Sequence, residues 1–389
     1  MAFILLILSL TSSYAQIALD EVIEDSKWYL PIVSTQTSPA IINKNEYIEI
    51  TAVGDTAWTY GARPSDGSQT PKEATLDQIL NDLDPQKNLF VGDLSFVNWE
   101  SAVGEFCDAI RPTVSFYFLT HPDSVEQAIE HGFNLIGLAN NHSQDCDLGR
   151  AFKNSSQSLH GPLMSAEALS ELKGDFLWHG VGENPMSVKI KEMFVKGRKI
   201  KVAFASLSLI SWDIPNSSFI NFRTDYEQKL ESFLDGFNIV ADLKILAIHT
   251  QDKSGHQKPE DEAYLLMKKI GEKFINKYGG DIVFGQGAHT YGGVKVIEAN
   301  KKKSVFVTSL GNFIHDGLRA NPDNYIAKIL LSTDDLKLKQ IQILPFFNNA
   351  GSEILKFYDG DCSRIDNLKS NFVLRKTSIQ DKCHYFSSF

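Results

Sequence analysis

The sequence predicts an α/β fold. Apolar, β-branched runs of strand length recur along the chain, and stretches of helical spacing lie between them. Almost every run ends on a carboxylate, carboxamide or imidazole: Gly54-Asp55, Asn98-Trp99-Glu100, Asn140-Asn141-His142, His249 and Gly285-Gln286-Gly287-Ala288-His289. In open α/β sheets ligands bind beyond the carboxyl ends of strands. Repetition of such groups at that place predicts one shared pocket.

The elements follow in order. Ile48 to Val53 alternates and stops at Gly54-Asp55, a strand and then a turn. Residues 61–71 are dense in Gly, Pro, Ser and Asp and form a loop. Leu76 to Leu83 has the pattern of a short helix, and Leu89 to Val97 is expected as the second strand. That strand delivers Asn98 and Glu100 to one face, with Trp99 on the other. Asp93 is a further carboxylate there, better suited to opening the strand. Ser124 to Glu130 reads as a helix capped by Asp123 or Ser124 and ended by Gly132. Phe133 to Leu138 is the strand before Asn140-Asn141-His142. Helical spacing returns over Ser165 to Leu172, a strand over Lys201 to Leu209, an amphipathic helix over 221–236, and a strand over Leu243 to Ile248. Glu260 to Tyr278 is the clearest helix, with Ala263, Leu266, Ile270, Phe274 and Tyr278 on one stripe and Gly279-Gly280 ending it. Asp281 to Phe284 and Ser304 to Thr308 are strands, the second leading to Ser309-Leu310-Gly311-Asn312-Phe313. The alternation fades after about Phe346. The expected organisation is therefore a polar lead-in over 16–46, a domain over 47–345 and an appendage over 346–389.

The 389 residues, 43% hydrophobic, suffice for one large domain or two ordinary ones. A formal charge of −10 argues against nucleic acid or an anionic membrane as partner. Lys301-Lys302-Lys303 suits a solvated hairpin turn. Residues 1–15 resemble a cleaved export signal: Phe3 to Leu10 is apolar and Ser13-Tyr14-Ala15 precedes Gln16, although no Lys or Arg precedes the apolar core. The run is too short to span a bilayer, and no transmembrane segment is expected after cleavage. The expected location is periplasmic, envelope or extracellular. Four cysteines, none in a CxxC pair, suit an oxidising compartment and not a metal site. Cys107 with Cys146, and Cys362 with Cys383, are the expected disulfides; buried free thiols are the alternative.

Each terminal group has a chemical use. Asp55 is a hard ligand for a divalent ion, and Asn98 and Glu100 serve as ligand and orienting neighbour. Asn141 offers an amide oxygen, and His142, which titrates near neutrality, offers a proton. With the imidazoles His249 and His289, the set Asp55, Glu100, Asn141, His249 and His289 has the mixed nitrogen and oxygen donors of a metal site. Such a site can polarise a phosphoryl oxygen and generate hydroxide. Singly, these residues also suit turns or a satisfied core. His121, His131, His160, His179, His256, His315 and His384 lack this context and are expected to be structural or exposed. No nucleophile elbow, Walker loop, HExxH or dinucleotide fingerprint is present in the sequence.

In order and approximate spacing, these stretches resemble the CapA (poly-γ-glutamate capsule synthesis) family of the calcineurin-like metallophosphatase superfamily. The resemblance rests on Thr51-Ala52-Val53-Gly54-Asp55, Phe96 to Ser101, Gly132 to Asp145, His179-Gly180-Val181-Gly182, His249, Gly280 to Gly285, His289 and Ser309 to Phe313. It implies a four-layer α/β/β/α sandwich, an exported location and a part in making or exporting capsule or poly-γ-glutamate. It implies that Asp55, Glu100, Asn141, His249 and His289 hold metal and that His142 is the acid, with Asn98, Asn140, Asp145 and Asn312 in support. The implied cofactor is one or two divalent ions (Mn, Fe, Zn or Mg), or none if the site is degenerate. The implied partners are an anionic envelope polymer or membrane-bound synthesis or export machinery, and no nucleic acid. Three departures bear on this: Ala57 stands where dinuclear phosphoesterases carry His, Lys253 replaces an acid after His249, and GHHPH has become Gly285-Gln286-Gly287-Ala288-His289. Asp147 also replaces an expected glycine. The lost imidazoles favour an assembly factor with a partly degenerate site; the retained groups favour an active metal-dependent phosphoesterase of an envelope substrate.

Overall fold

Central strands buried on both faces set the architecture. It is seen in a computed structural model that describes residues 44–58, 75–105, 109–110, 118–147, 161–209, 226–250, 262–315, 324–348, 355–357, 375–379 and 382–388. A 3-10 turn (Lys44–Glu46) enters β1 (Tyr47–Ala57), followed by α1 (Leu76–Leu83), β2 (Leu94–Trp99), β3 (Ala102–Val103), β4 (Ala109–Ile110), β5 (Leu119–Thr120), α2 (Pro122–His131), β6 (Leu135–Gly137), β7 (Cys146–Asp147), α3 (Gly161–Glu171) and β8 (Leu177–His179). Then come β9 (Lys189–Val195), β10 (Arg198–Ser208), α4 (Tyr226–Asp235), β11 (Leu243–His249), α5 (Glu262–Tyr278), β12 (Ile282–Gln286), β13 (Val294–Ala299), β14 (Lys302–Val307) and β15 (Asn312–His315). The chain ends with β16 (Asn324–Ser332), β17 (Leu338–Asn348), β18 (Leu355–Phe357), β19 (Arg375–Ile379) and β20 (Lys382–Ser388).

The first sheet has the order β19-β20-β17-β16-β1-β2-β6-β8, with β15 beside β1 and β18 beside β17. The second has the order β13-β14-β12-β11-β10-β9. Strands β1, β2, β6 and β8 run parallel, as do β10, β11, β12 and β14, so their carboxyl ends gather on one edge of each sheet. Within 346–389, β18 and β20 pair with β17, and β19 pairs with β20, which carries the first sheet outward.

Alternate residues divide between two cores. Ile50, Ala52 and Phe96 of the first sheet meet Val202, Phe204, Ile245 and Phe284 of the second. Phe96 stacks on Phe284 with centroids 4.7 Å apart. Burying each such ring contributes on the order of 2–3 kcal/mol. The intervening residues Val53, Val97, Ile136, Ala203, Leu246 and Val283 cluster with the helical stripes of Ile79, Leu80, Val125, Leu169, Phe233 and Ile270. Two sheets face each other between helical layers, the α/β/β/α order.

Helix α1 has the expected bounds, and Thr75 with Gln78 forms its capping box. Helix α2 starts earlier than Ser124: Pro122 takes the first turn and His121 is the cap, its Nδ1 accepting the Asp123 N–H. Strand β2 starts at Leu94, later than Leu89, because Asp93 accepts the Glu49 N–H and serves the strand edge instead of a site. Asn300 and Lys301, at φ of 53° and 64°, make the tight β13–β14 hairpin. Cys146 is disulfide-bonded, and Ile110 lies opposite it. Cys107, Cys362, Lys253, His160, His256, the loop 61–71 and the expected export signal lie outside the described residues. Among the described residues no helix is long and apolar enough to cross a membrane.

One position joins the sheets, and another shapes the first. His179, at the end of β8, accepts the Ser206 N–H of β10 at Nδ1 (2.9 Å), and its Nε2 donates to the Ser187 carbonyl (3.0 Å). Only the neutral ring can do both. Burial lowers its pKa from 6.5 to about 4, against the raising effect of the Ser187 and Ser206 contacts. Gly54 is the extra residue of a bulge between Val53 and Asp55 in the β1–β2 register. A Cβ there would lie 1.8 Å from the Gly311 carbonyl oxygen, so only glycine fits.

Two outcomes are expected. Above pH 6.5 the His179 ring is neutral in both states; between there and about 4 the unfolded chain takes a proton that the folded chain refuses, so stability falls with pH in that window. The slope is about 1.4 kcal/mol per pH unit. Denaturant unfolding at neutral and mildly acid pH should show a smaller acid loss in His179→Gln than in the native chain, and equal losses would remove this role. Gly54→Ala should cost at the upper end of the ~1–3 kcal/mol of an overpacked core, read as a lowered Tm.

Candidate metal centre

The bulge at Gly54 is what turns Asp55 inward. Without the added residue, Ala52 and Gly54 would share the inter-sheet face and Asp55 would join Val53 on the helical side. With it, Asp55 sits opposite Asn98 on β2 and opposite Asn312 on β15. Strand β16 pairs with β1 as far as Ala52, and β15 takes over at Asp55. The first sheet thus delivers Asp55, Asn98, Glu100, Asn312 and His315 to its edge. The second delivers Ser208, His249 and Gln286, aligned in register at the ends of β10, β11 and β12.

Asp55 is fully buried and bonded from both sheets. Asn98 Nδ2 donates to Oδ1 at 2.7 Å, and the Gly287 N–H donates to Oδ2 at 3.0 Å. Gly287 has φ +91°, and a Cβ there would lie 2.4 Å from the Thr250 carbonyl oxygen. A histidine at this position would displace the backbone from Asp55. His249 lies between Asn98, whose Nδ2 is 3.1 Å from Nδ1, and Asn141, whose Oδ1 is 2.9 Å from Nε2. The assignment that satisfies both contacts has Nε2–H donating to Asn141 and Nδ1 accepting from Asn98.

Asp55, Glu100 and His249 each offer a ligand atom, and these atoms lie within 4.8 Å of one another. Both Glu100 oxygens are buried without a hydrogen-bond donor. Their nearest polar neighbours are imidazole nitrogens: His315 Nε2 at 3.3 Å, His249 Nε2 at 3.6 Å and His289 Nδ1 at 3.9 Å. A buried carboxylate without donors is costly unless a cation meets it. Two carboxylates and one imidazole are also a donor set of a divalent ion. By both tests, these residues fit a metal.

The surrounding charges hold the carboxylates ionised. Burial raises the Asp55 carboxyl, but the adjacent His249 and His289 outweigh it and hold the group well below the usual range. Burial and Asp55 push Glu100 up, and His289, His315 and His249 bring it below its ordinary value. His289 moves the other way: burial opposes its charge, yet Glu100 and Asp55 raise it to about 9. Its Nδ1 is 2.9 Å from Asn312 Oδ1, and its backbone takes the left-handed φ of 55°. Asn312 is itself placed by Asn324, which accepts the Asn312 N–H at 2.8 Å.

The loop after β6 carries His142, the expected acid. Asn140 is a scaffold: its Nδ2 donates to the Trp99 carbonyl (2.7 Å), and its Oδ1 accepts the His142 N–H (3.0 Å). Asp145 accepts the Phe118 N–H at 2.7 Å and contacts His142 Nδ1. Burial works against a charged His142, and Asp145 overcomes it, so the pKa rises above its ordinary 6.5. With Nδ1 taken by Asp145, the proton open to transfer is on Nε2. Phe118 packs between His142 and His315, with centroid distances of 4.3 and 4.9 Å.

The ten residues singled out in the sequence therefore gather at one edge of the sandwich, with different placements. Asp55, Glu100 and His249 converge. Asn98 and Asn141 bracket His249, Asn312 bonds His289, and Asn140 and Asp145 shape the His142 loop. His315, expected to be structural or exposed, is buried beside Glu100. The signal for it was its place after the apolar pair Phe313-Ile314, the same strand-end position that marks His249. His131 and His179 are buried away from the centre, as the sequence suggests for structural histidines.

Among solved structures, the chain is similar to a phosphatase from Mycoplasma pneumoniae, with 14% identity, a TM-score of 0.45, and coverage of 79% of this chain and 96% of that one. It is also similar to a hypothetical protein from Thermus thermophilus, with 13% identity, a TM-score of 0.40, and coverage of 78% and 100%. No curated protein matches it. The family model described as bacterial capsule synthesis protein PGA_cap matches residues 49–317, which span the sandwich from β1 through β15 and contain every residue of the centre. The chain belongs to the bacterial capsule synthesis protein family.

Proposed function

We propose that this protein acts, after export, in making or exporting a capsular polymer of the poly-γ-glutamate class through a buried centre for a single divalent ion. The observation that carries the metal part is the convergence of Asp55, Glu100 and His249, with ligand atoms within 4.8 Å. Family membership supports the capsule role. Ala57 and Gly287 support one ion over two, because each takes a position where an imidazole would serve a second. An anionic envelope polymer or its membrane-bound machinery is the partner this reading supplies.

A divalent ion held there supplies Lewis acidity toward a phosphoryl or carbonyl oxygen. The chain's own groups do the rest. Asn98 and Asn141 fix the ring of His249, and Gly287 fixes Asp55. His142, locked by Asp145, holds a proton for a leaving group. That His142–Asp145 pair favours a second reading, an active metal-dependent phosphoesterase of an envelope substrate. A protein that only assembles polymer has no use for a positioned acid.

Metal analysis decides the first point. Protein from Gln16 onward, loaded with Mn²⁺ and desalted, should retain a single ion per chain. Asp55→Ala and Glu100→Gln should retain none. No ion in the native chain would sink the metal reading. On the loaded protein, hydrolysis of a small phosphoester should fall by about 100-fold or more in His142→Ala. A loaded protein that turns over no phosphoester points to polymer assembly, tested then by retention on poly-γ-glutamate.

A further inference from the structure

We infer that Gln286 is a further metal-binding residue, its carboxamide oxygen completing the Asp55, Glu100 and His249 centre and biasing it toward hard ions such as Mn²⁺ and Mg²⁺ over Zn²⁺. The inference rests on the reading of those three residues as a metal centre.

Gln286 is fully buried, and neither its Oε1 nor its Nε2 has a hydrogen-bond partner. Buried carboxamides are normally satisfied, so a group with both ends open signals something that meets it. Its direction follows from the strand. Ile282 and Phe284 face the other sheet, Val283 faces the helices, and Gln286 continues the inward set. Its register partner is His249, which is inward by the same count from Ile245 and Ala247. The next residue, Gly287, donates its N–H to Asp55. Gln286 thus lies between one ligand candidate beside it on the sheet and another bonded to its neighbour. On the far side of His249, Ser208 has a buried hydroxyl that is likewise unpartnered. The row Ser208, His249 and Gln286 leaves polar atoms open toward the Asp55 edge of the first sheet.

The chemistry of the fourth group sets the preference. An imidazole at this place would make an even set of two oxygens and two nitrogens, suited to Zn²⁺ or Fe. A carboxamide is a neutral, hard oxygen donor, so the set becomes two carboxylates, one amide and one imidazole. Oxygen-dominated sets suit Mg²⁺ and Mn²⁺.

Calorimetric titration with Mn²⁺ and with Zn²⁺ tests this on the native chain, Gln286→Leu, Gln286→Glu and Asp55→Asn. Gln286→Leu should weaken Mn²⁺ binding by about 10-fold or more, the scale on which even outer partners of metal ligands act, and should weaken Zn²⁺ binding less. Its metal-free Tm should not fall, since two unpaired buried polar atoms are removed. Gln286→Glu, of the same length, should tighten Mn²⁺ binding. Native Mn²⁺ affinity in both Gln286 variants overturns the role of Gln286 while leaving the centre intact. Absence of binding in the native chain, or native binding in Asp55→Asn, overturns the centre itself and the role of Gln286 with it.

Discussion

The buried carboxylate of Asp55 is the constraint on which the site depends. One oxygen takes the amide of Asn98 from its own sheet, and the other takes the backbone N–H of Gly287 from the facing sheet. It therefore fixes the separation of two layers at the edge where their strands end. Two backbone accommodations make this possible. The bulge at Gly54 swings Asp55 into the inter-sheet space, and the left-handed Gly287 brings its N–H within reach. Both glycines lie against backbone carbonyls, so neither tolerates a side chain.

Around that carboxylate the charges are unevenly satisfied. Asp55 has donors and neighbouring imidazoles, whereas Glu100 has imidazoles at ion-pair range and no donor on either oxygen. A protein interior avoids this arrangement unless a cation offsets it, because an ion's desolvation is regained only through close partners. The same unevenness recurs in neutral groups on the second sheet, at Ser208 and Gln286. Open polar atoms thus lie on both sides of the seam, in an otherwise tightly packed sandwich.

The centre is asymmetric. The half built from Asp55, Glu100 and His249 is compact, and Ala57 and Gly287 stand where further imidazoles would sit. His289 and His315 stand near Glu100, and the His142–Asp145 pair borders it through Phe118. One ion together with His142 as acid, as proposed, would make a coherent physical object. It would hold an anion's oxygen and give a proton without the second cation of a dinuclear centre.

Much of this was legible in the chain alone. Apolar runs of strand length and the helical stripe read over Glu260 to Tyr278 determined the α/β layers. Polar groups at strand ends marked Asp55, Glu100, His142 and His249, since a buried strand exposes such groups only where it surfaces. Strand bounds were less legible: Leu89 and Phe90 are apolar but pack under the helices, so β2 begins only at Leu94. What the tertiary structure alone decided was proximity across the two sheets. No local pattern says that His249 is clamped by Asn98 and Asn141, residues 151 and 108 positions away. Nor does one say that His315 comes to Glu100, because that depends on β15 replacing β16 beside β1. The physical reason is the same in each case. Residue type and spacing set which face a side chain takes, and only the packing of separate sheets sets what it meets there.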